Sequence, residues 1–118
     1  INRGGATLAI QLFGSADDGT CSDDRGGRVI CDGIPRNYAP GEVLKFAPGE
    51  SVTLMPGDWH AFWGEGGDVL IGEVSTVNDD LTDNVFREPI GRFADIEEDV
   101  VPTHLLVSDY DRWLGQVT

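Results

Sequence analysis

Positive charge and cysteine are both scarce in this chain, and each scarcity excludes a class of function. Among its 118 residues, 8 are Lys or Arg and 21 are Asp or Glu, which gives a formal net charge of −13. This excess of acids argues against binding to nucleic acid and to anionic membranes, because both attract lysine and arginine. The two cysteines, Cys21 and Cys31, are too few for a disulfide framework or a zinc ribbon. We therefore expect both to be ordinary thiols.

Long apolar runs and a leader peptide are lacking as well. No run approaches the roughly 18 apolar residues of a membrane-spanning helix, and no signal peptide is recognisable. The expectation is a cytoplasmic protein that binds neither nucleic acid nor a membrane. The chain opens at Ile1 within a segment that has the pattern of ordered structure. We therefore expect a further amino-terminal segment before it.

A sustained helical period is absent, and a β pattern takes its place. Short apolar or alternating runs are separated by Gly, Pro, Asn and Asp, which is typical of a sandwich or barrel. The Asp32-Gly33 pair predicts a hairpin turn, and Gly66-Gly67 predicts a second hairpin with a two-residue loop. Predicted strands cover residues 6–13, 28–32, 36–38, 42–46, 51–55, 59–63, 68–74 and 103–107.

Histidine is limited to His60 and His104, so this chain alone cannot build a cluster of several histidine ligands. His60 ends the segment GESVTLMPGDWH, residues 49–60, in which a Pro-Gly turn reverses the chain before a new strand. This segment resembles the second conserved motif of cupins, where the histidine at that position binds a divalent ion. A neutral imidazole is a suitable ligand for such an ion. The alternative is that His60 merely begins a strand, and we interpret His104 as structural.

The predicted hairpin at Gly66-Gly67 has a consequence for His60. With that loop, Trp63 faces Leu70 and His60 faces Glu73, and the His60–Glu73 pair shares its face of the sheet with Phe62 and Ile71. A carboxylate beside apolar neighbours is costly unless it has a partner. Glu73 is therefore a candidate metal ligand, general base or support for the base. The alternative is that the Glu73 face is solvated.

Several longer runs carry a more specific resemblance. They are INRGG at residues 1–5, HAFWGEGG at 60–67, GEVSTVNDDLTDN at 72–84 and PIGRF at 89–93. Together they are similar to the D-lyxose isomerases of the cupin superfamily, and the similarity extends over the whole chain. The resemblance implies an all-β cupin jelly-roll barrel, incomplete without the preceding segment. Residues 1–118 would then be a single partial domain: the carboxyl-terminal portion of the barrel and an extension.

The same resemblance implies a metal site of which this chain supplies only one ligand. The family's ligands are three histidines and one glutamate, and His60 alone has a counterpart here. The other ligands would come from the missing amino-terminal segment or from a complementary chain. We expect Mn²⁺ as the ion, with Zn²⁺, Co²⁺ or Mg²⁺ as alternatives. The isolated chain is expected to bind metal weakly and to be inactive.

The implied reaction is the interconversion of D-lyxose and D-xylulose, with D-mannose and D-fructose as a second pair. A metal would polarise the carbonyl, and a carboxylate, for which Glu73 is the candidate, would move a proton through an enediol. Hydride transfer is the other conceivable route. The resemblance also implies a homodimer. The alternative function is a non-catalytic cupin that binds sugar or regulates a partner, because a fold does not fix a function.

Candidate substrate contacts surround this site in the sequence. Phe62 and Trp63 are aromatic and can pack on a sugar ring, although lining the barrel would explain them equally. Asp80 and Asp83 lie in a polar loop that can bind sugar hydroxyls or simply form turns. Arg92 either contacts substrate or pairs with one of those acids. All five residues are therefore candidates with a structural alternative.

Overall fold

The computed structural model describes residues 1–77, 79, 82–90, 97 and 99–114. The chain divides into two compact units, residues 1–88 and 89–118. All strands of the described residues lie in the first unit. The described part of the second unit holds a 3-10 helix, Val107–Asp109, and one α-helix, α1 (Tyr110–Trp113). No helix among the described residues is long and apolar enough to cross a membrane.

Six strands form two antiparallel sheets in the first unit. The strands are β1 (Asn2–Phe13), β2 (Gly27–Cys31), β3 (Ile34–Tyr38), β4 (Glu42–Phe46), β5 (Val52–Thr53) and β6 (Trp59–Ile71). One sheet has the order β4-β1-β6, and the other has the order β3-β2-β5. The long strand β1 is therefore the centre of the first sheet, and β6 is one of its edges.

The hydrophobic core lies between the two sheets. The central strand β1 contributes alternate residues from one face, and β4 adds two more, while the second sheet contributes Val29 and Tyr38. Because both sheets supply one cluster, they pack face to face. The buried members from the first sheet are Leu8, Ile10, Leu12, Leu44 and Phe46.

This architecture confirms the all-β prediction and is consistent with a cupin-like β fold. The Asp32-Gly33 hairpin is also confirmed, since Cys31 pairs with Ile34 across it. Both turn residues have positive φ, 47° for Asp32 and 83° for Gly33, as a tight hairpin turn of the primed type requires. Within the described residues, the two sheets do not close into a barrel.

The predicted hairpin at Gly66-Gly67 is wrong. Residues 59–71 form one strand, β6, which pairs with β1 on both sides of the two glycines, at residues 59–65 and 69–71. The two glycines lie where the register between the strands shifts, and both have positive φ, 84° for Gly66 and 155° for Gly67. Here the glycines permit a β-bulge, because the neighbouring strand β1 is long enough to pair with the residues on both sides of them.

Two other strand predictions need correction. The strand expected at 51–55 is reduced to the two residues of β5. The apolar run at 103–107 is not a strand, and its last residue begins the 3-10 helix. The carboxylate of Asp109 explains the change, because its Oδ2 accepts the backbone N–H of Leu106 at 2.9 Å and so closes a turn.

Strands β1 and β6 approach each other closely at this bulge. We therefore expect alanine at Gly5 to lower the stability of the fold. A Cβ there would lie 3.2 Å from Val69 Cα and would overlap the carbonyl oxygen of Asp68, in a backbone with φ of 91°. We expect Gly5→Ala to destabilise the fold by at least about 2 kcal/mol, because a left-handed non-glycine residue alone costs about 1–3 kcal/mol. Urea unfolding measures the change.

Gly66→Ala is the matched control for that substitution. Gly66 also has positive φ, 84°, but a Cβ there meets nothing within 4 Å. Gly66→Ala should therefore lower the free energy of unfolding only by the cost of the left-handed backbone. Gly5→Ala should lower it clearly more, because its Cβ also meets the neighbouring strand. Equal losses in the two variants would show that the close approach between the strands contributes nothing.

Candidate functional site

His60 lies at the second position of β6, directly opposite Leu12 of β1. Opposed residues of an antiparallel pair point to the same face, so His60 shares the face of the core residues Leu12 and Ile10. Its own side chain is exposed, because β6 is the edge of the sheet. Phe62, opposite Ile10, lies on that face too, and its ring stacks against the imidazole with centroids 6.3 Å apart.

The imidazole of His60 is oriented by the backbone of the preceding turn. Its Nδ1 lies 3.0 Å from the carbonyl oxygen of Asp58. A carbonyl oxygen only accepts hydrogen bonds, so Nδ1 must carry the proton in this contact. Nε2 then keeps its lone pair. A neutral ring that donates from Nδ1–H to a carbonyl and keeps the lone pair of Nε2 has the arrangement of a metal-binding histidine.

Asp58 is itself held by both oxygens of its carboxylate. Its Oδ2 accepts the backbone N–H of Met55 at 2.7 Å, and its backbone N–H donates to the Met55 carbonyl at 3.0 Å. These two bonds close the Pro-Gly turn. Its Oδ1 accepts the hydroxyl of Tyr38 at 3.0 Å, and the same hydroxyl lies 3.3 Å from the Phe13 carbonyl oxygen.

Tyr38 is a donor in this contact over a wide pH range. Burial and then the hydrogen bond to Asp58 raise the pKa of Tyr38 to about 12. The hydroxyl therefore stays protonated at neutral and mildly alkaline pH. The result is a continuous chain of contacts from β3, through Tyr38 and the Asp58 turn, to the imidazole of His60.

The residues present fit one ligand of a metal site. In the part of the chain that the structure describes, no group of three or more His, Cys, Asp or Glu side chains could hold an ion. His60 offers one nitrogen of a type that suits Mn²⁺, Zn²⁺ or Co²⁺. A tight site built on His60 would need ligands from beyond these residues.

Glu73 does not lie beside His60, so the predicted pairing is wrong. His60 pairs with Leu12, whereas Ile71, two residues before Glu73, pairs with Asn2 at the other end of β1. Roughly 35 Å of strand length separates His60 from Ile71 at about 3.3 Å per residue. The error follows directly from the hairpin that does not exist. The Glu73 side chain is exposed.

The two aromatic candidates for substrate contact are separated by the sheet. Phe62 lies on the His60 face and is 56% exposed, so its ring is open to a ligand there. Trp63 pairs with Ala9, not with Leu70 as predicted, and points to the opposite face. The structure thus brings Phe62, but not Trp63, next to His60.

Of the polar candidates Asp80, Asp83 and Arg92, the structure describes only Asp83. Asp80 and Arg92 lie outside the described residues. Asp83 is exposed and belongs to a local turn, since its backbone N–H donates to the Asp79 carbonyl at 3.0 Å and its Oδ1 accepts the Asn84 amide at 2.8 Å. These contacts agree with the turn-forming interpretation of Asp83, and its contact with substrate stays a prediction.

A cavity of about 430 Å³ opens beside Trp59. Trp59 pairs with Phe13 and so lies on the face opposite His60. The cavity's polar groups bond with neighbouring residues: Thr20 donates to Asp18, Arg87 pairs with Asp23 at 2.7 Å, and Trp59 Nε1 donates to Ser15. Its lining consists of Asp18, Gly19, Thr20, Cys21, Trp59, Val85, Phe86 and Arg87.

Sequence reasoning missed Tyr38 and Asp58. The position of Asp58 in a Pro-Gly-Asp turn, two residues before a candidate ligand, was an available signal, because an Asp side chain readily bonds the backbone of its own turn. Tyr38 gave no signal. It lies 20 residues from Asp58, and only the packing of the two sheets brings the two side chains together.

Comparison with known proteins shows that this chain is similar to one family along most of its length. The sequence model of the D-lyxose isomerase family matches residues 1–110. A D-lyxose/D-mannose isomerase of Serratia proteamaculans is 47% identical over 117 residues, covering 98% of this chain and 51% of that protein. One of Escherichia coli O157:H7 is 43% identical over 112 residues, covering 93% and 49%. The chain therefore spans about half the length of these relatives.

Proposed function

Because this chain belongs to the D-lyxose isomerase family, we propose that it forms part of a metal-dependent isomerase that interconverts D-lyxose and D-xylulose. D-mannose and D-fructose are the second substrate pair in this proposal, and D-mannose appears in the names of both relatives. The observation that carries the proposal is His60, whose Nδ1 is engaged by the Asp58 carbonyl at 3.0 Å while Nε2 stays available. We further propose a homodimer, on the resemblance alone, and a cytoplasmic location, because both cysteines are interpreted as ordinary thiols.

His60 would hold the metal through Nε2, together with ligands from outside the described residues. A divalent ion, Mn²⁺ in our proposal, supplies a Lewis acid that polarises the sugar carbonyl when it is bound. Phe62, on the same face and stacked on His60, offers an apolar ring for one side of the sugar. A carboxylate would take a proton from C2 of the aldose and return it to C1 through an enediol, while a second proton passes from O2 to O1.

The direct test is turnover of D-lyxose to D-xylulose with added Mn²⁺. It should use the full-length protein, meaning this chain with any coding sequence that adjoins it. The expected result is isomerisation of lyxose, and more slowly of mannose, that disappears with a chelator and returns with Mn²⁺. A protein that binds Mn²⁺ and sugar without converting any aldose would overturn the proposal in favour of a sugar-binding or regulatory cupin.

Glu73 as the proton-transfer base stays a prediction from the sequence, and the roughly 35 Å of strand between His60 and Ile71 counts against it. Glu73→Gln keeps the size of the side chain and removes the basic oxygen. If Glu73 is the base, kcat should fall by about 10²- to 10⁴-fold, the usual contribution of a general base, with Mn²⁺ stoichiometry unchanged. The exposed Glu50→Gln is the control. Unchanged turnover in Glu73→Gln would place the base elsewhere in the protein.

A further inference from the structure

The buried Tyr38 and the turn residue Asp58 form a chain of hydrogen bonds that ends at His60. Tyr38 is 4% exposed, yet its hydroxyl reaches Oδ1 of Asp58 at 3.0 Å. The other carboxylate oxygen of Asp58 accepts the Met55 N–H at 2.7 Å. The carboxylate therefore has a separate partner on each side, which leaves the turn little freedom to rotate about its backbone.

The fixed turn restrains the imidazole of His60 through one backbone carbonyl group. The same residue, Asp58, presents its carbonyl oxygen to His60 Nδ1 at 3.0 Å. A rotation of the Asp58 peptide unit would remove that acceptor and release the ring. Because His60 is exposed, few packing contacts would replace the lost restraint.

From these contacts we propose that Tyr38 and Asp58 are positioning residues for His60. They fix the Asp58 carbonyl so that His60 is protonated at Nδ1 and presents Nε2 to the metal. The inference rests on the proposed metal role of His60. Neither residue touches substrate in this assignment. Hydrogen-bonded partners of this kind commonly change metal affinity by about 10- to 100-fold when removed.

The opposing strand offers a way to disturb Tyr38 without altering any polar group. Gly27 pairs with Tyr38 across β2 and β3. A Cβ at Gly27 would lie 2.7 Å from Tyr38 Cζ, so the ring would have to move. Gly27→Ala should therefore weaken the Tyr38–Asp58 contact, as Tyr38→Phe does. It does so by moving the ring, without removing the hydroxyl, the carboxylate or the imidazole.

Two readouts on the full-length protein test the proposal. Mn²⁺ affinity is measured by the electron paramagnetic resonance signal of free Mn²⁺, and the His60 tautomer is read from ¹H–¹⁵N correlations of the metal-free imidazole, assigned with His60→Gln. We expect Asp58→Ala to weaken Mn²⁺ binding by about 10- to 100-fold and to move the ring from the Nδ1–H to the Nε2–H tautomer. Tyr38→Phe and Gly27→Ala should produce smaller shifts in the same direction.

Asp58→Asn is the rescue variant, because its amide oxygen can still accept the Met55 N–H while its NH₂ donates to the tyrosine oxygen. It should bind Mn²⁺ more tightly than Asp58→Ala. Tyr110→Phe and Asp68→Ala, at exposed sites, are the controls and should match wild type. Variants that lose folding stability while keeping wild-type affinity and tautomer would overturn the positioning role.

Failure of the isomerase proposal would appear only as absent turnover of aldoses, whereas failure of the metal role proposed for His60 gives a different pattern. In that case His60→Gln would bind Mn²⁺ as tightly as wild type, so His60 would not be a ligand. The tautomer measurement on metal-free protein still decides the positioning claim by itself, since it involves neither metal nor substrate. An Nε2–H tautomer in the wild-type protein would refute it.

Discussion

Replacing His60 by alanine is expected to abolish isomerisation in the full-length protein. The side chain supplies the one metal-binding nitrogen in the described part of the site, and the Lewis-acid contribution of such an ion amounts to several kcal/mol in the transition state. A loss of that size corresponds to at least about 10³-fold in kcat/KM. Metal content, measured on purified protein, should fall together with turnover.

The location of His60 makes this result specific. The side chain is exposed and lies at the edge strand, so its removal should change the free energy of unfolding by no more than about 0.5 kcal/mol. Loss of activity can then be separated from loss of fold by circular dichroism and urea unfolding. A marked fall in stability would indicate that His60 is instead a structural residue.

His104 provides the matched control, because it is the other histidine of the chain and is also exposed. His104→Ala should keep wild-type turnover and metal content. If both histidine variants were fully active with bound Mn²⁺, the metal would be held by residues other than these two histidines, and the assignment of His60 as a ligand would be wrong.

Local turn chemistry explains which parts of the fold could be predicted. Asp32-Gly33 was recognised correctly because the two residues that it joins, Cys31 and Ile34, also pair with each other. Gly66-Gly67 has the same conformational freedom but serves a bulge. The difference lies in β1, a strand long enough to pair with residues on both sides of the glycines. That partner is distant in sequence, so the dipeptide alone could not distinguish the two outcomes.

In the candidate site, too, local features could be predicted and contacts between distant segments could not. His60 could be located because a Pro-Gly turn and the strand that follows are local features. The error at Glu73 followed from a pairing that depended on the wrong hairpin. The support from Tyr38 depends on the packing of one sheet against the other, for which a single sequence contains no spacing rule. Interactions within a turn were therefore predictable, and those between sheets were not.

Asn2 is the residue for which we expect the largest effect on stability. It is fully buried, and its Nδ2 donates to the carbonyl oxygens of Ala6 and Phe46, each at 2.9 Å. Its Oδ1 accepts the Gly4 N–H at 3.0 Å. One side chain thus satisfies three backbone groups and joins β1 to the end of β4. This role cannot be predicted from the run INRGG, because Phe46 is 44 residues away along the chain.

Asn2→Asp keeps the shape of the side chain and removes both donors. The carbonyl oxygens of Ala6 and Phe46 would then face a carboxylate, and each buried group left without a partner costs about 1–3 kcal/mol. We expect a loss of roughly 3–5 kcal/mol at pH 7, a large fraction of the about 5–15 kcal/mol that stabilises an ordinary domain. Urea unfolding of the full-length protein measures it, and the exposed Asn37→Asp should change stability by no more than about 0.5 kcal/mol.

The pH dependence of that loss separates a missing donor from simple disruption of packing. Burial favours the neutral form of the new carboxyl group, so its pKa in the folded protein is expected to lie above the ordinary value of about 3.9. An acid whose folded pKa is raised stabilises the fold at low pH, relative to its charged form, and loses that contribution as the pH rises. Protonation also restores one O–H donor. The deficit of Asn2→Asp against wild type should therefore narrow as the pH falls towards about 4, whereas a deficit independent of pH would show that the hydrogen bonds of Asn2 are not its cause.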